Sequence, residues 1–290
     1  MASKIQFNKF AMEKMVQNAA LLIVAKRGSG KSFLTRDIMY SMRKLPGGMV
    51  ISPTDQMNPI YKKFFPDLFI HHDVSPTLLK AVLQRQTMVV KNNKTIVQNE
   101  KNKGGKSDIA SKVTDPRAIL VMDDCLAEAA AWKKDNTIRI IMMNGRHYQL
   151  TFILIMQDPM GVPPNLRSNF DYIFLLKEDT VLNRKKLWMN FAGVIPSMQA
   201  FEAIFDAMTN DFGCMVIDNR KPCSVLKEKI FHYKAVDRRF KFGSDEFVDI
   251  HKKYYDKNYL ERLTRAEMEG GTIQTKKSKE GVQAGDIDLL

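Results

Sequence analysis

The strongest chemical signal in the chain is the run Ala25-Lys26-Arg27-Gly28-Ser29-Gly30-Lys31-Ser32. Small residues let consecutive backbone N–H groups turn onto phosphate oxygens, a lysine reaches β- and γ-phosphates, and a hydroxyl heading a helix can ligate Mg²⁺. Gly28, Gly30, Lys31 and Ser32 supply these parts, and Lys26, Arg27 and Ser29 complete a nucleotide-binding loop. The usual pattern is GxxxxGK[ST]. Its first glycine is here Ala25, and alanine tolerates a positive φ less well than glycine. A bare GK[ST] arises by chance in roughly one chain in ten of this length, so the weight lies in the apolar run before it and the helical pattern after it.

A magnesium nucleotide needs a second element, an apolar strand that ends in acid. Ala118-Ile119-Leu120-Val121-Met122-Asp123-Asp124 has that form. Asp123 is placed to bind Mg²⁺ opposite Ser32. Asp124 is placed to polarise a water for attack on the γ-phosphate. A helix N-cap after a strand would need only one such acid. A third apolar run, 152–156, ends in Gln157, which can orient the attacking water or sense loss of the phosphate, or simply close the turn before Asp158-Pro159. Arginines often meet the charge that develops on a transferring phosphoryl group. Arg146 and Arg167 both sit in loop-like contexts around the Gln157 run, from which a guanidinium could reach a neighbouring subunit. For Arg167 the expectation is a loop stiffened by Pro163 and Pro164 that projects the side chain. Either could equally be an ordinary surface arginine.

These groups need a scaffold. Apolar runs of strand length recur at 20–25, 49–51, 68–70, 118–122, 152–156, 172–176 and 214–217. They are apolar on both faces, as strands of a parallel sheet covered by helices must be. Leu34, Ile38 and Met42 recur every fourth residue, predicting a helix over 33–43, and Ser75-Pro76 reads as an N-cap followed by proline in the first turn. Alternating strands and helices predict an α/β fold with a mostly parallel sheet and helices on both faces. The expected organisation is a lead-in over 1–18, a nucleotide-binding domain over 19–234, a basic and aromatic extension over 235–264, and a disordered tail over 265–290. Within the domain, 91–112 holds six lysines against one glutamate and one aspartate, with Gly-Gly inside it. It reads as an exposed, mobile insertion. Residues 231–259 interleave aromatic and basic side chains, a mixture that suits nucleic acid. Phe247, Ile250 and Tyr254 in the same stretch also make a plain helical core stripe.

Composition bounds the partners. The 290 residues are 44% hydrophobic and 27% charged, which excludes a disordered or collagenous chain. Lys+Arg 45 against Asp+Glu 32 leaves +13, a cation excess that points to a polyanionic partner. Three cysteines, Cys125, Cys214 and Cys223, share no CxxC spacing and read as reduced thiols of an intracellular, unsecreted protein. The five histidines form no zinc-spaced cluster with them. No apolar stretch is long enough to span a membrane.

The order AKRGSGKS, ILVMDD, NGRHY, FILIMQ, VPPNLRSN resembles the genome-packaging ATPases of large double-stranded DNA viruses, in the FtsK–HerA superfamily of P-loop motors. The resemblance covers roughly residues 15–220, and the doubled Asp and the GRH segment are its most discriminating parts. Asp124 stands where the cellular relatives typically carry Glu, which favours the viral, poxvirus-type branch. The resemblance implies a P-loop NTPase of the ASCE, RecA-like type, with the Gln157 strand between the loop strand and the Asp-Asp strand. It implies ATP and Mg²⁺ as cofactors and a homo-oligomeric ring, a pentamer or hexamer, pumping duplex DNA with an arginine acting in trans. It also implies a capsid or membrane-associated virion component as a further partner, and the host cytoplasm or assembly site as the location. Two rivals share the loop. One is a nucleoside or nucleotide kinase, which would rarely need the Asp-Asp and Gln set or the basic charge. The other is an ATP-binding assembly protein without significant turnover.

Overall fold

A computed structural model describes residues 7–102, 109–125, 136–220 and 225–259. Eight strands, β1 (Ala20–Val24), β2 (Gly47–Ile51), β3 (Ile70–His71), β4 (Ala118–Asp123), β5 (Leu150–Met156), β6 (Tyr172–Leu175), β7 (Gly213–Asp218) and β8 (Ile230–Lys234), form one sheet in the order β3-β2-β4-β5-β1-β6-β7-β8. The first six in that order run parallel, and β7 and β8 are antiparallel additions at one edge. The strand that ends at Gln157 does lie between the loop strand and the Asp-Asp strand.

The both-faces-apolar character of the strands follows from two separate cores. Successive side chains of a strand point to opposite faces, so Leu22 and Val24 of β1 enter one core while Leu21 and Ile23 enter the other. The first core is closed by α2 (Pro76–Asn102), α3 (Asn136–Asn144), α5 (Val181–Phe191) and α6 (Met198–Thr209). A one-turn helix, α4 (Pro164–Arg167), adds Leu166 to it. The second is closed by α1 (Lys31–Ser41), through Leu34 and Ile38, and by α8 (Asp245–Tyr254), through Phe247; a one-turn helix, α7 (Leu226–Lys229), leads into β8. Among the described residues no helix is long and apolar enough to cross a membrane.

Several sequence expectations change. The apolar run at 68–70 is mostly a 3₁₀ turn, Asp67–Phe69, with Pro66 at its N-cap, and the strand begins only at Ile70. Residues 91–102 are not a loop but the second half of α2. No glycine or proline interrupts the chain between Pro76 and Gly104, and the last turns are tied back by Lys112 to Glu100 at 2.8 Å and by Asn93 to Thr114. The remainder of that stretch adds a 3₁₀ turn, Ile109–Ser111, while 103–108 lie outside the described residues, as do the tail at 265–290 and Cys223.

The aromatic residues of the extension belong largely to the core. Phe240 packs on Phe64 at 4.8 Å, Phe242 on Phe65 at 5.0 Å, and Phe247 on Phe69 at 4.1 Å between ring centroids. Tyr254 and Tyr259 stay exposed. The lead-in is also built into the sheet edge: Phe10 donates its N–H to His232 O on β8 and buries its ring edge-on against Tyr172 and Phe174. Asp37 on α1 fastens the same region from below, accepting from Tyr233 Oη at 2.6 Å, Val236 N at 2.8 Å and Arg238 Nε at 3.0 Å.

Candidate active site

Three adjacent parallel strands, β4, β5 and β1, end side by side, with Val24 opposite Met156 and Ile155 opposite Asp123. Their carboxyl edge therefore carries the phosphate-loop candidate, Gln157 and the two acids together, as open α/β sheets place their ligand sites. The chain leaves β1 with Ala25 still in the ladder, its N–H donated to Met156 O at 2.9 Å. Ala25 is not among the positive-φ residues, so the departure from the usual glycine carries no strain here. The left-handed conformations fall on Gly28 (φ 78°) and Gly30 (φ 97°), the two residues that adopt them without a Cβ penalty. Ser29 is buried and donates its hydroxyl to Lys26 O at 2.6 Å, closing the loop on itself. Lys26 pairs with Asp179 on the surface, and Arg27 is exposed. Helix α1 then starts at Lys31, so its unpaired N–H groups and the Ser32 hydroxyl head the site.

Lys31 Nζ lies 2.9 Å from Asp123 Oδ1 and also contacts Asp124 Oδ2. All three side chains are largely withdrawn from water, at 17%, 6% and 13% exposure. Burial works to lower the lysine's pKa, but the two carboxylates outweigh it and the net shift is upward, so the ammonium stays charged. Asp123 shifts upward as well, because burial outweighs the lysine's pull. A buried carboxylate still short of positive charge suits a hard cation. The donor set of Ser32, Asp123 and Asp124 is all oxygen, and Mg²⁺ is commonly held by one or two carboxylates with substrate phosphates completing its shell. Among the described residues no group of three or more His, Cys, Asp or Glu could form a protein-only metal cage. The residues present fit Mg²⁺ carried in with a nucleotide.

Asp124 occupies a left-handed conformation, φ 53°, with its N–H bonded to Ile155 O at 3.1 Å. That backbone turn swings the carboxylate back over the ends of β5 and β1, where Gln157 Nε2 donates to it at 3.0 Å. Gln157 is thus joined directly to the second acid. Non-glycine residues held in this conformation cluster at functional sites.

Tyr61 is a site residue that the sequence reading missed. It is fully buried and donates its hydroxyl to Asp123 Oδ2 at 2.9 Å, while its own backbone is held by Asp55 Oδ1, which accepts from Ile60 N and Tyr61 N. Burial first, then the Asp123 charge, push its phenol well above the usual range, so it remains a donor. No sequence pattern links a tyrosine in a 3₁₀ turn to an acid 62 residues later. Cys125, next to the acids, is buried with its thiol against Ile51 O, and burial raises its pKa to about 12.

The two arginines do not join this cluster within one chain. Arg146 precedes β5, at the amino edge of the sheet, and pairs with Asp171, whose other oxygen accepts Ala20 N at the start of β1. Its side chain is 60% exposed. Arg167 does not project as expected. It is 7% exposed, donating Nε to Val162 O at 2.9 Å and Nη1 to Asn190, with its guanidinium toward the Phe191 ring. The two prolines end in the one-turn helix α4, which folds the arginine against α5 instead of extending it.

No protein-family model matches the chain. Protein L437 of Acanthamoeba polyphaga mimivirus is 49% identical over 271 residues, covering 93% of this chain and 92% of that protein. Protein 075L of Invertebrate iridescent virus 6 is 30% identical over 253 residues, covering 84% and 89%. Among solved structures, EssC (ATPases 2 and 3) from Geobacillus thermodenitrificans has a TM-score of 0.51 at 11% identity, over 87% of this chain and 45% of that one. B204, the DNA-packaging ATPase from Sulfolobus turreted icosahedral virus, has a TM-score of 0.47 at 16% identity, over 77% and 100%. The EssC likeness speaks to the α/β P-loop fold alone. The near full-length identity to L437 and 075L speaks to descent, and the chain belongs to the family of large-DNA-virus proteins that they represent.

Proposed function

We propose that the protein is an ATP-hydrolysing motor that moves duplex DNA, working as a ring of identical subunits to fill a viral particle. One observation carries the reading: Lys31, Asp123, Asp124 and Gln157 meet at the carboxyl edge of three neighbouring strands, beside a glycine loop that heads a helix. The basic charge of the chain and its family of large-DNA-virus proteins agree with a polyanionic cargo.

The chemistry follows from the positions. Backbone N–H groups of the loop and the Lys31 ammonium bind the β- and γ-phosphates. Ser32 and Asp123 would hold Mg²⁺, which would neutralise charge on the phosphate oxygens. Tyr61 fixes the orientation of Asp123. Asp124, aimed by its left-handed turn and by Gln157, accepts a proton from water as the water oxygen bonds to the γ-phosphorus. The bond from that phosphorus to the β–γ bridging oxygen breaks, and ADP leaves. Gln157 touches the general base itself, so loss of the γ-phosphate can be relayed into β5. Of the two arginines, Arg146 is the exposed one, and we assign it the trans contact with a neighbouring subunit's nucleotide.

Triplex displacement tests the motor. Mg²⁺ and ATP should strip a third strand from a long duplex in the presence of the wild-type protein, and the Asp124→Asn variant should not. Phosphate transfer to an added nucleoside, with no displacement, would replace this reading by a kinase.

A further inference from the structure

Asp211 and Phe212 link α6 to β7, and both are left-handed, with φ 50° and 58°. A bulky side chain on such backbone is a true outlier, since Cβ crowds the following carbonyl. Glycine or asparagine would make the same turn more easily. Burial of the aromatic ring does not offset the strain: Phe212 is 65% exposed. Among the described residues it makes no ring–ring or cation–π contact within the chain.

The turn is nonetheless fixed in place. Gly213, which follows, leaves no room for a side chain, because a Cβ there would lie 2.3 Å from Met208 O. Asp211 is paired with Lys234 at the end of β8. The location is specific. Strand β7 runs antiparallel to β6, with Met215 opposite Leu175, so its first residue sits at the same edge as the end of β1. The Phe212 side chain lies against the phosphate loop: a Cβ on Gly30 would stand 3.4 Å from Phe212 Cδ1 and 3.6 Å from its Cβ. Gly30 is the residue before Lys31.

A strained, pinned and solvent-facing aromatic side chain thus borders the loop that would hold a triphosphate. The part of a nucleoside triphosphate with a flat apolar face is its base, which trails the phosphates by one ribose. We propose that Phe212 is the stacking platform for the nucleotide base. The proposal rests on the nucleotide-binding reading of the 25–32 loop. Every base has a π-face, so stacking holds the base and reads little of its hydrogen-bonding edge.

The test compares two ligands, both with Mg²⁺, by calorimetry: a non-hydrolysable ATP analogue, and inorganic tripolyphosphate, which has no base. The proteins are wild type, Phe212→Asn, Phe212→Trp and Lys31→Met. Asparagine keeps the left-handed turn without the aromatic face. Phe212→Asn should bind the ATP analogue about 5- to 150-fold more weakly, bind tripolyphosphate as wild type does, and melt no lower than wild type. Phe212→Trp should keep or gain affinity for the analogue. Unchanged analogue binding by Phe212→Asn, or equal losses for both ligands, would overturn the proposal. Unchanged analogue binding with lost self-association would do so as well, assigning the aromatic side chain to a neighbouring subunit. Lys31→Met serves a separate purpose: if it weakens neither ligand, the phosphate-loop reading itself fails, whatever Phe212 does.

Discussion

Replacing Lys31 with methionine keeps the unbranched stem of the side chain and removes the cation between two carboxylates. Breaking a buried ion pair by deleting one partner typically costs about 3–5 kcal/mol. Here the lysine side chain is 17% exposed and Asp123 keeps the Tyr61 hydroxyl, so the expected loss at neutral pH is smaller, about 2 kcal/mol. The loss has a pH signature. The Lys31 pKa is raised, so its contribution is fully present below its ordinary value and disappears only at high pH. Asp123 is raised in the folded state even with the lysine beside it, so its ionisation disfavours folding as pH rises through that value. Without the lysine that value climbs further. The stability deficit of Lys31→Met relative to wild type should therefore grow as pH rises from the ordinary aspartate range toward neutrality. Urea unfolding of both proteins across that range measures it. Neutralising the acid too, in the double variant Lys31→Met with Asp123→Asn, should recover most of the deficit at pH 7, because the buried charge is gone. A deficit that is constant with pH, or a double variant no better than the single one, would refute the electrostatic coupling.

Tyr61→Phe removes a hydrogen bond to a buried carboxylate, which should cost about 1.5–3 kcal/mol of stability; as a positioning change it should also raise the Mg²⁺ concentration needed for turnover, a shift that a purely structural role would not give. Arg167→Ala should destabilise the fold, since it empties a buried site bonded to Val162 O and Asn190, whereas Arg146→Ala should leave the melting temperature nearly unchanged and lower hydrolysis only in assembled protein. Mixing Arg146→Ala with Lys31→Ala subunits should restore some of the hydrolysis that each lacks, and no restoration in rings shown to co-assemble would remove the trans assignment. Burial that raises the Cys125 thiol to about 12 should leave it nearly inert to thiol reagents at pH 8 until the protein is unfolded; rapid labelling of Cys125 in the native protein would contradict its packing against Ile51.

The parts of the site that share a local signal were legible in the sequence. Lys31 and Ser32 are marked by spacing within the loop, Asp123 and Asp124 by their place after an apolar run, and Gln157 by a polar residue ending another. What was not legible depends on chain segments far apart. Tyr61 reaches Asp123 only because β2 lies beside β4 and carries the following turns over the carboxyl edge. The aromatic residues at 240–247 match a nucleic-acid surface and a core equally well in sequence; Phe64, Phe65 and Phe69 decide in favour of the core. Lysine density at 91–102 masks a continuous helix, because charge reports solvent exposure and the absence of glycine and proline reports backbone. Arg167 misled for the opposite reason: two prolines do stiffen the segment, but the α4 turn directs the guanidinium inward.

The central claim is that hydrolysis at the Lys31–Asp123–Asp124 cluster is coupled to duplex DNA. Steady-state hydrolysis of MgATP, measured with and without long duplex DNA over a range of protein concentrations, tests it most directly. Turnover per subunit should rise with concentration as subunits assemble, rise further with DNA, and be lost in Asp124→Asn while nucleotide binding is kept. Hydrolysis by Asp124→Asn at the wild-type rate, or wild-type turnover indifferent to both DNA and concentration, would contradict it.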